Sequence, residues 1–199
     1  MAEKFDPANW QRLENPERLK ELPPHVVVSL LKLAGARTVV DFGAGTGMFT
    51  IPIALAMPGG TVMAVDEVPE LLQRLREKLE APGREDLRER VKLVQASHSR
   101  IPLEDGVADR VLALNVLHHI DQDQLALGEI TRILAPGGRL VVIDFGAIDR
   151  PVGPPKDHVL SHDRLRAVVA GMGLAETEFH EPGDLVPYHV IVVAEKRRA

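Results

Sequence analysis

The sequence predicts an α/β fold: a three-layer sandwich around a mostly parallel seven-stranded sheet that closes in an antiparallel C-terminal hairpin. Short apolar, β-branched runs alternate five times with helical stretches between about residues 37 and 172, each change marked by glycine or proline. Two final strand-like runs, about 174–180 and 188–195, have no helix between them, only a turn-rich stretch containing Pro182-Gly183. At 199 residues and 45% hydrophobic, the chain suits one domain with a sizeable core.

The elements follow in order. Asn15-Pro16-Glu17-Arg18 starts a short helix, and Pro23-Pro24-His25 starts another, with Val27, Leu30, Leu31 and Leu33 at helical spacing until Gly35. Strand one covers about 37–42. Phe49 to Met57 reads as a helix whose first turn accommodates Pro52, and Gly59-Gly60 resets the chain for strand two, 61–66. Pro69 to Glu80 is amphipathic, with Leu71, Leu72, Leu75 and Leu79 on one side. Val91–Gln95 and Arg110–Leu114 are strands, Gln122–Leu134 is a helix ending at Pro136-Gly137-Gly138, and Arg139–Phe145 is the fifth strand. After the loop from Gly146 to Pro155, a helix runs from about Ser161, its N-cap, to Met172.

Bulk properties exclude several functions. With a net charge of −5, the surface on average repels polyanions, so a nucleic-acid partner is not expected, and Lys196-Arg197-Arg198 reads as a solvated terminus. The absence of cysteine removes disulfides, thiolate-ligated zinc and every mechanism through a cysteine adduct. Met1–Pro7 lacks the apolar core of a signal peptide, and no apolar run reaches the roughly 18 residues a membrane span needs. A soluble, cytoplasmic protein is expected. Arginine outnumbers lysine, a weak sign of a thermophilic source.

The most informative segment is Val39-Val40-Asp41-Phe42-Gly43-Ala44-Gly45-Thr46-Gly47. A strand ends in three alternating glycines and opens a helix, which lets main chain approach a ligand closely. Asp66 ends the next strand, where its carboxylate can accept both hydroxyls of a ribose if the two strands are parallel neighbours. A phosphate-binding loop is excluded, because Met48-Phe49 stands where lysine and a hydroxyl residue are needed. A dinucleotide fingerprint is weakened by Met48 in place of its third glycine, yet an NAD-dependent oxidoreductase stays open.

The chain resembles the class I methyltransferases that use S-adenosylmethionine, across almost its whole length. The matching pieces are Asp41 to Gly47, Asp66, Ile101-Pro102-Leu103, Asn115-Val116-Leu117-His118-His119, and Arg132 to Gly138. Phe5-Asp6-Pro7, Pro23-Pro24, Gly153-Pro154-Pro155 and Tyr188-His189 resemble a small bacterial and archaeal subgroup. The resemblance implies a Rossmann-like fold, with residues 1–35 an N-terminal helical arm or lid and 36–199 the S-adenosylmethionine-binding domain. It further implies that Gly43, Ala44, Gly45 and Gly47 line the methionine and ribose, Asp66 holds the ribose hydroxyls and Glu67 flanks the adenine. Ser97, followed by His98, stands where the family often has an aspartate for the adenine amino group, so a neutral acceptor replaces a charged one.

Each remaining site residue has a functional and a structural reading. Asp41 either reaches the cofactor's amino group through water or caps the turn amides. Asn115 either faces the methyl group or serves as a turn amide. His118-His119 is a poor metal site, since adjacent helical residues diverge by about 100 degrees; one of the pair is instead a candidate for the substrate pocket. His158 and His189 are further candidate bases. Phe5, Trp10 and Leu13 form either a water-excluding lid or an anchoring arm, and the 4% aromatic content argues against a base-stacking pocket.

The expected reaction is in-line methyl transfer to a small-molecule acceptor, leaving S-adenosyl-L-homocysteine, with no metal and with Asn115, His118 and His158 as catalytic candidates. A non-catalytic S-adenosylmethionine-binding protein is the alternative outside enzymes. No membrane partner is expected, and a homodimer is left open.

Overall fold

The computed structural model describes residues 6–97, 99–151 and 153–198. A 3₁₀ helix, Pro7–Glu14, comes first, its amide at Ala8 capped by the Asp6 carboxylate at 2.9 Å. Helices α1 (Pro16–Glu21) and α2 (Pro24–Leu30) follow; each begins on proline, whose missing N–H costs nothing in a first turn. Then come β1 (Thr38–Phe42), α3 (Thr50–Ala56), β2 (Thr61–Asp66), α4 (Pro69–Leu79), α5 (Glu85–Arg90), β3 (Val91–Gln95) and β4 (Ala108–Leu114). The second half adds α6 (Leu117–Ile120), α7 (Gln124–Ile133), β5 (Leu134–Phe145), a 3₁₀ turn Lys156–His158, α8 (His162–Gly171), β6 (Ala175–His180) and β7 (His189–Glu195).

The strands form one sheet in the order β3-β2-β1-β4-β5-β7-β6. The first five are parallel, and β7 runs antiparallel between β5 and β6. Alternation along the strands divides the core in two. Val39, Leu112, Val141 and Ile191 pack under α2, α3 and α4, while Val40, Val111, Val142 and Val192 pack under α7 and α8. Chain order reverses between β1 and β4, so the loops after those strands diverge and leave a crevice at their carboxyl ends.

Three expectations are corrected. Helix α5 was not anticipated, because only Leu87 of its six residues is buried. The helix expected over 122–134 is α7, preceded by the separate short α6 and started by Asp123, whose carboxylate accepts from the amides of Leu125 and Ala126, each at 3.1 Å. β5 begins at Leu134 and runs through Pro136-Gly137-Gly138. There the Gly137 N–H donates to Lys196 O at 2.8 Å and the Lys196 N–H to Gly138 O at 2.9 Å, so the pairing with the chain end overrides the breakers. Lys196 is accordingly not a free tail: its ammonium donates to the carbonyls of Thr131 and Leu134 at 2.7 and 2.8 Å.

Candidate functional site

The glycine turn starts where β1 stops. Gly43, Gly45 and Gly47 all have positive φ, at +76°, +55° and +83°, a region side chains avoid. A Cβ on Gly43 would lie 2.3 Å from Val116 Cγ2, so absence of a side chain there lets the loop after β4 close against the turn. The amides of Gly43 and Ala44 donate to Val65 O at 2.8 and 3.0 Å. The carbonyl of β2 thus serves these two amides, and Asp41 instead accepts from the backbone amide of Thr50, the first residue of α3. Asp41 is 3% exposed and accepts from the Thr50 hydroxyl at 2.6 Å. Burial, with Asp66 adding to it, pushes its carboxyl up to about 6.

Asp66 closes β2 beside the turn, one residue in register beyond the Phe42–Val65 pair. One carboxylate oxygen accepts from the Gly45 N–H at 2.7 Å and the other from the Val68 N–H at 2.9 Å. Burial raises its pKa, and backbone hydrogen bonds, those from Val68 and Gly45 foremost, oppose that shift. The carboxylate is therefore held in place while each oxygen keeps a further lone pair for a hydroxyl donor. Glu67 follows it, half-buried. Ser97 is exposed; its N–H donates to Arg100 O at 2.9 Å, and its hydroxyl lies 3.4 Å from the same carbonyl. His98, expected near the cofactor, and Phe5, read as part of a lid or an anchoring arm, lie outside the described residues.

Across the crevice, Asn115 sits just beyond β4 with φ +55°, a strained left-handed conformation for a residue with a side chain. Its N–H donates to Ile143 O at 2.7 Å, and its buried amide oxygen has no partner among the described residues. Thr46, in the glycine turn, likewise buries a hydroxyl oxygen without a partner among the described residues. Strain and unpaired acceptors beside a bare turn are what a nucleoside with an amino-acid tail would occupy. The glycines, Asp66 and Asn115 thus fit the expected cofactor.

A cavity of about 750 Å³ lies beside Asn115. Its lining includes Leu13, Leu22, Asn115, His118, Phe145 and His189, and it brings together three residues expected to work at the site: Asn115, His118 and His158. Leu13 links the two spaces, because a Cβ on Gly45 would stand 3.3 Å from its Cδ1. The N-terminal segment is fixed there from α4: Arg74 lies 3.7 Å over the Trp10 ring, and Lys78 reaches Glu14 at 2.5 Å and Thr46 O at 2.8 Å.

One residue that sequence reasoning missed organises this cavity. Asp144, near the end of β5 and 1% exposed, meets His118 Nδ1 at 2.6 Å and accepts from the His118 N–H at 3.1 Å. Its other bond, from the Phe145 N–H at 2.8 Å, holds the carboxylate against the strand. The pair places Nδ1–H on the acid and leaves Nε2 as the basic nitrogen, a tautomer assigned from this bonding. His158 is exposed at the rim, and His119 stacks on His118 with ring centroids 3.9 Å apart. The only available signal for Asp144 was an acid at the end of an apolar strand.

Comparison with known proteins agrees with this geometry. A family model described as methyltransferase domain matches residues 40–142. A demethylmenaquinone methyltransferase from Thermus thermophilus is 35% identical over 109 residues, covering 55% of this chain and 47% of that protein. A ubiquinone/menaquinone biosynthesis C-methyltransferase from Syntrophotalea carbinolica is 36% identical over 123 residues, 61% of this chain and 49% of that one. The chain spans about half the length of these curated relatives. A crystal structure of a SAM-dependent methyltransferase from Aquifex aeolicus superposes with a TM-score of 0.84 at 26% identity, covering 96% of this chain and 99% of that one. The matched segment runs from β1 through most of β5, the same stretch that carries the glycine turn, Asp66 and Asn115, and the chain belongs to the class I S-adenosylmethionine-dependent methyltransferases.

Proposed function

We propose that the protein transfers the methyl group of S-adenosylmethionine to a small-molecule acceptor held in the cavity beside His118. One observation carries this reading: Leu13, which lines the cavity, lies over Gly45, and Asn115, which also lines it, precedes Val116, which packs against Gly43. Its volume, about 750 Å³, suits a small molecule. The names of the Thermus and Syntrophotalea relatives support an acceptor of that class.

When bound, S-adenosylmethionine supplies a methyl group on positively charged sulfur, which needs an aligned acceptor more than it needs acid or base. Gly43, Ala44, Gly45 and Gly47 give it main-chain access. Asp66 holds the ribose hydroxyls, with Glu67 and Ser97 toward the adenine, while Asp41 reaches the amino group through water. The free amide oxygen of Asn115 accepts from that amino group or steers the acceptor. His118, oriented by Asp144, takes the proton of a hydroxyl or amine acceptor through Nε2. His158 at the rim is the second candidate for that role. The segment up to residue 35 acts as a lid whose Leu13 and Trp10 keep water from the reacting atoms. Trp10, the single tryptophan of the chain, reports the lid by a change in emission when cofactor binds.

The test is transfer of labelled methyl from S-adenosylmethionine to a panel of phenols, amines, thiols and carboxylic acids. Labelled product from wild type, reduced at least about 100-fold in His118→Ala, supports the reading, as expected for loss of a general base. Cofactor binding without any labelled acceptor points to a non-catalytic binding protein, and binding of NAD alone points to an oxidoreductase.

A further inference from the structure

His189 opens β7 opposite Phe145 and is 1% exposed. It lines the cavity, yet neither ring nitrogen has a hydrogen-bond partner among the described residues. The five residues that follow it, Val190 to Ala194, are all apolar and buried. An apolar side chain in its place would satisfy the sheet equally, so an unpaired imidazole is a liability unless something in the cavity pairs with it.

The ring contacts limit what that partner can be. Phe145 packs against His189 with centroids 4.7 Å apart and against His118 at 6.0 Å, so one aromatic ring touches both histidines. Leu13, Leu22, Phe145, Pro154 and Leu160 give the cavity an apolar wall. The charged and titratable groups facing His189 are Asp144, which favours its protonation, and Arg18, Arg150 and His118, which oppose it. Burial is the largest effect and lowers its pKa to about 4. Near neutral pH the ring therefore offers one N–H donor and one bare nitrogen.

Resting on the methyl-transfer reading, we infer that His189 recognises the acceptor: it pairs with an uncharged hydroxyl or carbonyl oxygen on an apolar, ring-sized molecule, across Phe145 from the His118–Asp144 pair. The oxygen satisfies the imidazole, and the apolar body fills the wall. Recognition and proton removal then fall on different histidines. His189 is a recognition residue and His118 the base.

Binding of 2-naphthol and of naphthalene to protein saturated with S-adenosylhomocysteine tests this by competition or calorimetry. Wild type is expected to prefer 2-naphthol by about tenfold, one hydrogen bond plus relief of a buried unpaired group. His189→Phe, which keeps the volume, is expected to bind the two alike. His189→Gln, which keeps a donor and an acceptor, and His118→Ala are expected to retain the preference. A preference that survives in His189→Phe, or failure of both probes to bind wild type, overturns the inference while leaving methyl transfer standing. Failure of wild type to bind S-adenosylhomocysteine would overturn both.

Discussion

Replacing Asp66 with asparagine separates cofactor recognition from loop support. In the free protein its two oxygens accept from Gly45 N–H at 2.7 Å and Val68 N–H at 2.9 Å. Asparagine keeps one acceptor and turns an NH2 toward the other amide, which costs about 1–3 kcal/mol of folding stability. Removing a carboxylate whose charge is disfavoured by burial offsets part of this cost. For the cofactor the balance is one-sided. Two ribose hydroxyls lose a charged acceptor, and one meets a donor instead, a loss of about 2–4 kcal/mol, or roughly 30- to 700-fold in Kd. Calorimetry with S-adenosylhomocysteine at pH 7.5 reads this, with thermal unfolding of the free protein as the control for folding. A Kd within about threefold of wild type, in a variant that unfolds cooperatively, would refute the role given to Asp66.

Three further outcomes are expected. Gly43→Ala places a Cβ 2.3 Å from Val116 Cγ2 at φ +76°, so urea unfolding should show a loss of about 2–4 kcal/mol; a change below about 0.5 kcal/mol would count against the packing described. Asp41 keeps its proton up to about pH 6 when folded but loses it near 3.8 when unfolded, so its contribution falls as pH rises through that interval. Asp41→Asn should therefore be more stable than wild type by about 1–3 kcal/mol at pH 7.5 and not at pH 3.5, and a destabilised variant at pH 7.5 would reverse the sign of the argument. Asp144→Asn can donate to His118 Nδ1, so nitrogen NMR of the imidazole should show the proton moving to Nε2; an unchanged tautomer would show that Asp144 does not set it.

The glycine turn, β1, β2 and α4 were legible because their signals are local: alternating glycines, a β-branched run, leucines at helical spacing. The β6–β7 hairpin was legible for the same reason, two strand-like runs around Pro182-Gly183. What was hidden depends on partners distant in sequence. The start of β5 at Leu134 is decided by Gly137 and Gly138 pairing with Lys196, against their local turn preference. Asp144 acquires its role from His118, 26 residues earlier, and the cavity arises only when α1, β4, β5 and β7 converge. In the sequence His189 was only a candidate base in the final strand. Its lack of a partner among the described residues is a property of three-dimensional packing that no spacing reveals. Helix α5 is too short and too polar to carry an apolar stripe.

The most direct test is a crystal structure of the protein with S-adenosylhomocysteine. The account predicts the ribose on Asp66, the amino-acid tail along Gly43 to Gly45, and the sulfur beside Asn115, opening into the cavity of His118 and His189. A nucleoside lodged elsewhere, or a sulfur walled off from that cavity, would contradict it.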